Sequence, residues 1–167
     1  MNLIDLGTGS GAISIAIAKE RPQCRIIATD INNKALEIAA LNAKSHGLEN
    51  INFIKSDWFS KIERHDFDII ISNPPYIRFD DKHLQQGDVR FEPVDALKAG
   101  YDGLQHIREI IDQAPHYLII NGWLLLEHGY DQGYDVRTYL TSSCYTDVTT
   151  CHDYAGNERV TLARRQG

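Results

Sequence analysis

Asn73-Pro74-Pro75-Tyr76, at the end of the apolar run Phe67-Asp-Ile-Ile-Ile-Ser72, joins residues that make a poor strand and useful chemistry. Neither proline has an N–H to donate and both hold φ near about −65°, so a β-branched strand has to stop there. What remains is a rigid corner whose carbonyls and one Asn side chain accept hydrogen bonds in fixed directions beside an aromatic ring. Such a corner suits a flat group carrying an NH2, either a carboxamide or the exocyclic amine of a nucleobase. Asn73, Pro74, Pro75 and Tyr76 are therefore the expected substrate-binding residues, with Asn73, Pro74 and Tyr76 carrying the catalytic roles. The plain alternative is a tight loop after a buried strand.

A second feature stands at the start of the chain. Asp5-Leu-Gly7-Thr8-Gly9-Ser10-Gly11 follows the apolar run Asn2-Leu-Ile-Asp-Leu6 and leads into Ala12-Ile-Ser-Ile-Ala-Ile-Ala18. This order predicts a strand, a glycine turn and a helix. Glycine permits positive φ and a close ligand approach, and the helix N-terminus presents free N–H groups. Gly7, Gly9 and Ala12 also satisfy the dinucleotide pattern G-x-G-x-x-G/A, so a nicotinamide or flavin site stays open on these residues alone. A second strand, Arg25-Ile-Ile-Ala-Thr29, ends at Asp30, about twenty residues beyond the glycine turn, where an acid can meet ribose hydroxyls. The competing role for Asp30 is a helix N-cap, which Asn32 could equally supply. The G-x-G-x-G alternation and the acid two residues before it favour S-adenosyl-L-methionine over a dinucleotide. That ligand has no phosphate but carries an ammonium, which Asp5 can attract directly or through water.

Strand patterns alternating with helical ones position these features in an α/β domain with a mostly parallel sheet. Helices are expected over roughly 33–46, 103–117 and 134–142, with Gly47 ending the first of them. Further strands are expected at 51–56, 67–72 and 123–127. Two last strands, around Asp147-Val148 and at 158–163, are close enough to form a hairpin and place one antiparallel strand at the sheet edge. The stretch 77–99 is long for an idle connection and reads as a lid or substrate-binding loop.

At 167 residues with 43% hydrophobic content, the chain fits one domain, 1–167, with a core of its own. No apolar run is long enough to cross a bilayer and no secretion-signal profile opens the chain, so a soluble, cytoplasmic protein is expected. Three cysteines without C-x-x-C spacing, Cys24, Cys144 and Cys151, read as reduced packing residues. Seven scattered histidines show no metal-ligand spacing, so no metal is expected, and His128 reads as structural. A formal charge of −6 disfavours holding a nucleic-acid backbone, which needs clustered Lys and Arg.

The order Asp5-Leu-Gly-Thr-Gly-Ser-Gly11, Ser56-Asp57-Trp58-Phe59, Ser72-Asn-Pro-Pro-Tyr76, Gln85-Gln-Gly-Asp-Val-Arg-Phe-Glu-Pro93, Leu124-Leu-Leu-Glu-His-Gly129 and Asn157-Glu-Arg-Val-Thr161 closely resembles the release-factor glutamine methyltransferases, HemK-type. Asn-Pro-Pro-Tyr alone is shared with methyltransferases of nucleic-acid amines, and the Gln85 to Pro93 and Glu127-His128-Gly129 segments narrow the match. The resemblance implies a Rossmann-like class I methyltransferase with a seven-stranded sheet, one antiparallel edge strand, helices on both faces and ligands at the carboxyl ends of the strands. It implies methylation of a glutamine side-chain amide, at N5, in the Gly-Gly-Gln motif of a peptide chain release factor, with S-adenosyl-L-homocysteine as product. Asp57 and Trp58 would flank the adenine, joining Asp5, Gly7, Thr8, Gly9, Ser10, Gly11, Asp30 and Asn73 as cofactor-binding residues. Family members carry an N-terminal helical domain that helps hold the release factor; this chain begins on the first strand, so a catalytic domain without that part is expected. A monomer with no stable nucleic-acid or membrane partner completes the expectation. The alternatives are a nucleic-acid exocyclic-amine methyltransferase, acting on adenine or guanine, and a non-catalytic binding module.

Overall fold

The computed structural model describes residues 1–76, 100 and 102–167; the stretch 77–99, with the expected loop and its Gln85 to Pro93 motif, lies outside the described residues. The elements run β1 (Asn2–Leu6), α1 (Ala12–Glu20), β2 (Arg25–Asp30), α2 (Asn33–Ser45), β3 (Ile51–Lys55), β4 (Phe67–Ser72), α3 (Gln105–Gln113), β5 (Leu118–Glu127), α4 (Gly133–Thr141), β6 (Tyr145–His152) and β7 (Glu158–Arg165), with a 3-10 turn at Ala114–His116 before β5.

The apolar runs of β1 and β4 belong at the middle of the sheet because strands covered on both faces need hydrophobic residues at nearly every position. They lie there: the seven strands are ordered β3-β2-β1-β4-β5-β7-β6. Leu3 turns to one face, packing with Ala18 of α1, Cys24 and Ile26. Ile4 and Leu6 turn to the other, packing with Ile70, Leu124 and Leu126 and with Ile107, Ile110 and Ile111 of α3 and Val136 and Leu140 of α4. Helices therefore cover both faces, and the Rossmann-like arrangement expected from the sequence is present. Among the described strands, β7 is the one antiparallel to the others. Within the edge hairpin it takes the inner place beside β5, leaving β6 outermost.

Local chemistry explains most boundaries. Asn32 caps α2 by accepting the Lys34 N–H at 3.0 Å. Gly47, at φ +66°, closes the helix while Leu48 N–H reaches back to the Ala43 carbonyl at 3.1 Å. The helix expected over 103–117 is shorter, because Pro115 cannot donate the next helical hydrogen bond and the chain tightens into the 3-10 turn. β5 starts five residues earlier than expected, at Leu118. Asn121-Gly122 reads as a turn, but here Asn121, at φ +65°, sits in a bulge that shifts the β4–β5 register. β6 likewise runs longer than the expected Asp147-Val148 core, with Asp147 at φ +53° where its register shifts. Cys24 is buried as expected of a packing residue, whereas Cys144 and Cys151 are exposed on and beside the outermost strand. No helix among the described residues is long and apolar enough to cross a membrane.

Candidate functional site

Sheet register gathers the residues singled out above. Leu6 pairs with Thr29 on one side and Ser72 on the other, Ser72 pairs with Leu126, and Asp30 with Lys55. The next residues along these parallel strands, Gly7, Asn73 and Glu127, together with Asp30 and the Ser56-Asp57-Trp58 turn, thus line one end of the sheet. Strand order reverses between β1 and β4, and the crevice at such a reversal is where open α/β sheets hold ligands.

The glycine turn adopts the conformations that its composition permits, with φ of +70° at Gly7, +57° at Gly9 and +85° at Gly11. Asp30 stiffens it: its carboxylate accepts the Gly9 N–H at 2.9 Å and the Asn32 N–H at 2.7 Å. Capping α2 falls to Asn32, so Asp30 ties the end of β2 to the turn. Trp58 stands at φ +42° with its indole edge against Gly7, where a methyl added to the glycine would lie 3.4 Å from the ring. It also packs against the core, and the His106 ring lies 5.4 Å away between centroids. Asp57 beside it is exposed.

Asp5 lies beneath the turn, 1% exposed. One carboxylate oxygen accepts hydrogen bonds from Thr8 Oγ1 at 2.7 Å and Ser14 Oγ at 2.5 Å, while the other, Oδ1, is buried with no hydrogen-bond partner among the described residues. Burial pushes this carboxyl above its ordinary value, the two hydroxyls opposing the shift and Asp30 adding to it. An orphaned carboxylate oxygen calls for a cationic or donor group. At Gly9 a side chain would meet nothing within 4 Å, so the backbone is open to a ligand. Residues and space fit a ligand with an ammonium end, as S-adenosyl-L-methionine has.

Across the crevice, Ser72 Oγ donates to the Leu6 carbonyl at 2.8 Å and fastens the end of β4 to β1. Pro74 is buried and Asn73 exposed, so the corner is anchored through proline and offers its amide outward. Tyr76 is partly buried; burial is the main cause raising the phenol's pKa, and the Glu127 charge adds to it. The Tyr76 carbonyl accepts Gln132 Nε2 at 3.0 Å. His128 is fully buried, as a structural histidine should be. Nδ1 lies 2.9 Å from the Gly129 carbonyl and must donate to it, so Nε2 accepts from Thr161 Oγ1 at 2.8 Å. Thr161 then accepts from Thr150 Oγ1, which accepts from Arg137, itself paired with Glu158, each at 2.8 Å. Burial lowers the His128 pKa, which favours the neutral ring this order of donors requires.

The structure thus brings together Asp5, the turn Gly7, Thr8, Gly9, Ser10 and Gly11, Asp30, Asp57 and Trp58 on one side and Asn73, Pro74, Pro75 and Tyr76 on the other. Sequence reasoning missed Ser14, the influence of the Glu127 charge on Tyr76, and Gln132. A lone serine in the apolar face of α1 was a signal for the first; the other two depend on contacts far apart in sequence.

The family model described as "Methyltransferase small domain" matches residues 1–89. The release factor glutamine methyltransferase of Escherichia coli (strain K12) is 51% identical over 162 residues, covering 97% of this chain and 58% of that protein. Its counterpart in Xylella fastidiosa (strain 9a5c) is 50% identical over 163 residues, covering 98% and 59%. The chain therefore spans about three-fifths of the length of these curated relatives. A methyltransferase from Pyrococcus furiosus shares the fold, with a TM-score of 0.73 at 19% identity, covering 99% of this chain and 74% of that one. With an Asp-floored glycine turn facing an Asn-Pro-Pro-Tyr corner, and a family model matched across more than half its length, the chain belongs to the methyltransferase small domain family.

Proposed function

We propose that the chain is the catalytic domain of an S-adenosyl-L-methionine-dependent methyltransferase that N5-methylates the glutamine amide of the Gly-Gly-Gln motif in peptide chain release factors. The observation that carries this reading is the juxtaposition, set by the Leu6–Ser72 register, of the Gly7 to Gly11 turn with the Asn73 to Tyr76 corner. The relatives named release factor glutamine methyltransferase, at about half identity, support glutamine over other amines.

Asp5 Oδ1 would receive the ammonium of the methyl donor, Asp30 its ribose hydroxyls, and Asp57 and Trp58 would flank its adenine; the bound donor supplies an electrophilic methyl group. Asn73 Oδ1 and the Pro74 carbonyl each accept one hydrogen of the substrate amide, holding the NH2 plane so that nitrogen faces that methyl. An amide nitrogen is a weak nucleophile because its lone pair is delocalised, so orientation is the main lever. As the nitrogen–carbon bond forms and the carbon–sulfur bond breaks, positive charge moves to nitrogen, where these two acceptors stabilise it better than they do the ground state. The cationic amide then loses its proton to water, leaving methylglutamine and S-adenosyl-L-homocysteine. Tyr76 walls the corner.

Residues 1–167 act in this reading as one domain, a cytoplasmic monomer whose partner is the release factor. The test is incubation with methyl-labelled S-adenosyl-L-methionine and, separately, a release factor, the same factor with its Gly-Gly-Gln glutamine replaced by alanine, tRNA, rRNA and duplex DNA. Label confined to the glutamine peptide is the expected result. Label only in nucleic acid would transfer the assignment to a nucleobase-amine methyltransferase, and donor binding without transfer to any of them would point to a non-catalytic module.

A further inference from the structure

Gln132 occupies the N-cap position of α4, where a short polar side chain ordinarily closes its own helix, yet it makes no such bond. Its amide is spent elsewhere. Oε1 accepts the Gly129 N–H at 2.8 Å, and the two Nε2 hydrogens go to the carbonyls of Tyr76, at 3.0 Å, and Asp102, at 3.2 Å. A carboxamide offers two donors and an acceptor in one plane, and all are used here at 2% exposure. Three segments meet on this one group: the end of the Asn73 to Tyr76 corner, the loop leaving β5 and the approach to α3. Gly103, at φ +72°, completes the junction, because a side chain there would overlap the Tyr76 carbonyl and stand 2.6 Å from Gln132 Nε2. Glu127, whose charge acts on the Tyr76 phenol, stands one residue beyond the β5 position that pairs with Ser72.

We infer that Gln132 is a positioning residue for methyl transfer, setting the direction of the acceptor corner by fixing the Tyr76 carbonyl to the loop after β5. The inference rests on the methyltransferase reading above. Tyr76 is moored through its carbonyl, so the two prolines before it hang between the β4 end, fastened by Ser72, and the Gln132 clamp. With the clamp removed, the Asn73 amide and Pro74 carbonyl lose one of their two supports while the donor turn, built from β1 and β2, keeps its own.

The test uses Gln132→Met, which removes all three hydrogen bonds at similar volume, and Gln132→Glu, which keeps the acceptor and sets a carboxylate against two carbonyls. Release-factor methylation per folded molecule should fall about 10- to 100-fold in kcat in both, the range expected for a displaced reacting group, with donor Kd within about twofold of the parent. Gln113→Met, at the end of α3, should change neither. In Gln132→Glu the deficit relative to the parent should shrink as pH falls and the carboxyl regains a proton to donate, a response that loss of packing alone would not give. Near-parental kcat in folded Gln132→Met would overturn the inference, as would a pH-independent deficit in Gln132→Glu. Nuclear magnetic resonance of the parent labelled with 15N-glutamine decides the matter if neither variant folds or if the parent transfers no methyl group: one side-chain NH2 pair strongly protected from exchange supports the clamp, and none protected refutes it. Absence of methyl transfer by the parent counts against the functional reading and leaves this last measurement standing.

Discussion

Gly9 and Gly11 differ by two positions in one turn, and substituting each by alanine should separate binding from folding. Both stand at positive φ, so alanine costs about 1–2 kcal/mol of backbone strain at either. At Gly11 a new methyl would lie 3.0 Å from Ala39 Cβ, 3.3 Å from Ala39 Cα and 3.0 Å from Ile15 Cδ1. The Ile15 tip can turn aside, but the Ala39 backbone moves only with α2, so overpacking adds about 1–3 kcal/mol. Gly11→Ala should therefore lose about 2–5 kcal/mol in all. At Gly9 the methyl would meet nothing within 4 Å, leaving strain alone, about 1–2 kcal/mol. That open space is the proposed seat of the methyl donor, so Gly9→Ala should weaken S-adenosyl-L-methionine binding by about tenfold or more, about 1.4 kcal/mol or above. Urea unfolding read by linear extrapolation gives the stability arm, and calorimetric titration of the donor gives the binding arm. Equal stability losses in the two variants, or parental donor affinity in Gly9→Ala, would refute the reasoning.

Asn73→Ala should leave stability within about 0.5 kcal/mol, since Asn73 is exposed, and leave donor affinity largely intact while single-turnover methylation slows by about 10²-fold or more; near-normal turnover would remove Asn73 from the mechanism. Burial raises the Asp5 carboxyl above its ordinary 3.8, so the stability linked to its proton is complete below that value and lost as pH rises through the folded value. Asp5→Asn should therefore raise Tm relative to the parent near neutrality and lose that advantage below about pH 4, while weakening donor binding; an unchanged Tm difference from about pH 8 to about pH 3 would contradict this. Asp153 behaves oppositely. Hydrogen bonds led by the Asn157 N–H lower its carboxyl from 3.8 to about 2, so its contribution to the β6–β7 turn is full above the ordinary value and disappears as pH falls through about 2. Asp153→Ala should lower Tm near neutrality and converge with the parent at about pH 2, read by circular dichroism melts.

The glycine turn, the Asn-Pro-Pro-Tyr corner and Asp30 were legible because each is a local statement: glycine where φ turns positive, proline where a ladder ends, an acid at a strand end. The mostly parallel α/β sheet followed from alternating elements, whereas the strand order had no local signal. What escaped was decided by partners distant in sequence. Asn121-Gly122 carries the chemistry of a turn, yet pairing with β4 draws it into a bulged strand. A single close hairpin implied antiparallel pairing at the edge, but its inner or outer placement depends on which strand meets β5, which no local pattern states. Gln132 resembles any polar residue before a helix until the Tyr76 carbonyl, 56 positions earlier, is brought to it. Cys144 and Cys151 read as packing residues because cysteine is so often buried, but the outermost strand offers no core for them to enter.

The reversal of strand order between β1 and β4 divides the labour of the chain into two inheritable parts. Among the described residues, those that would hold a methyl donor come from positions up to Trp58, with Asn73 shared between the two halves, and those that would present an acceptor come from Asn73 onward, through the loop after β5. The two parts meet along the β1–β4 pairing and the core shared beneath it, and near the ligand end through the Ser72 hydroxyl on the Leu6 carbonyl and the indole of Trp58 against His106. A mutation on one side of the seam can therefore alter what is methylated without first disturbing how the methyl group is carried. One scaffold can in this way pass among many acceptors, rebuilding a short corner and its moorings while the donor half stays as it was.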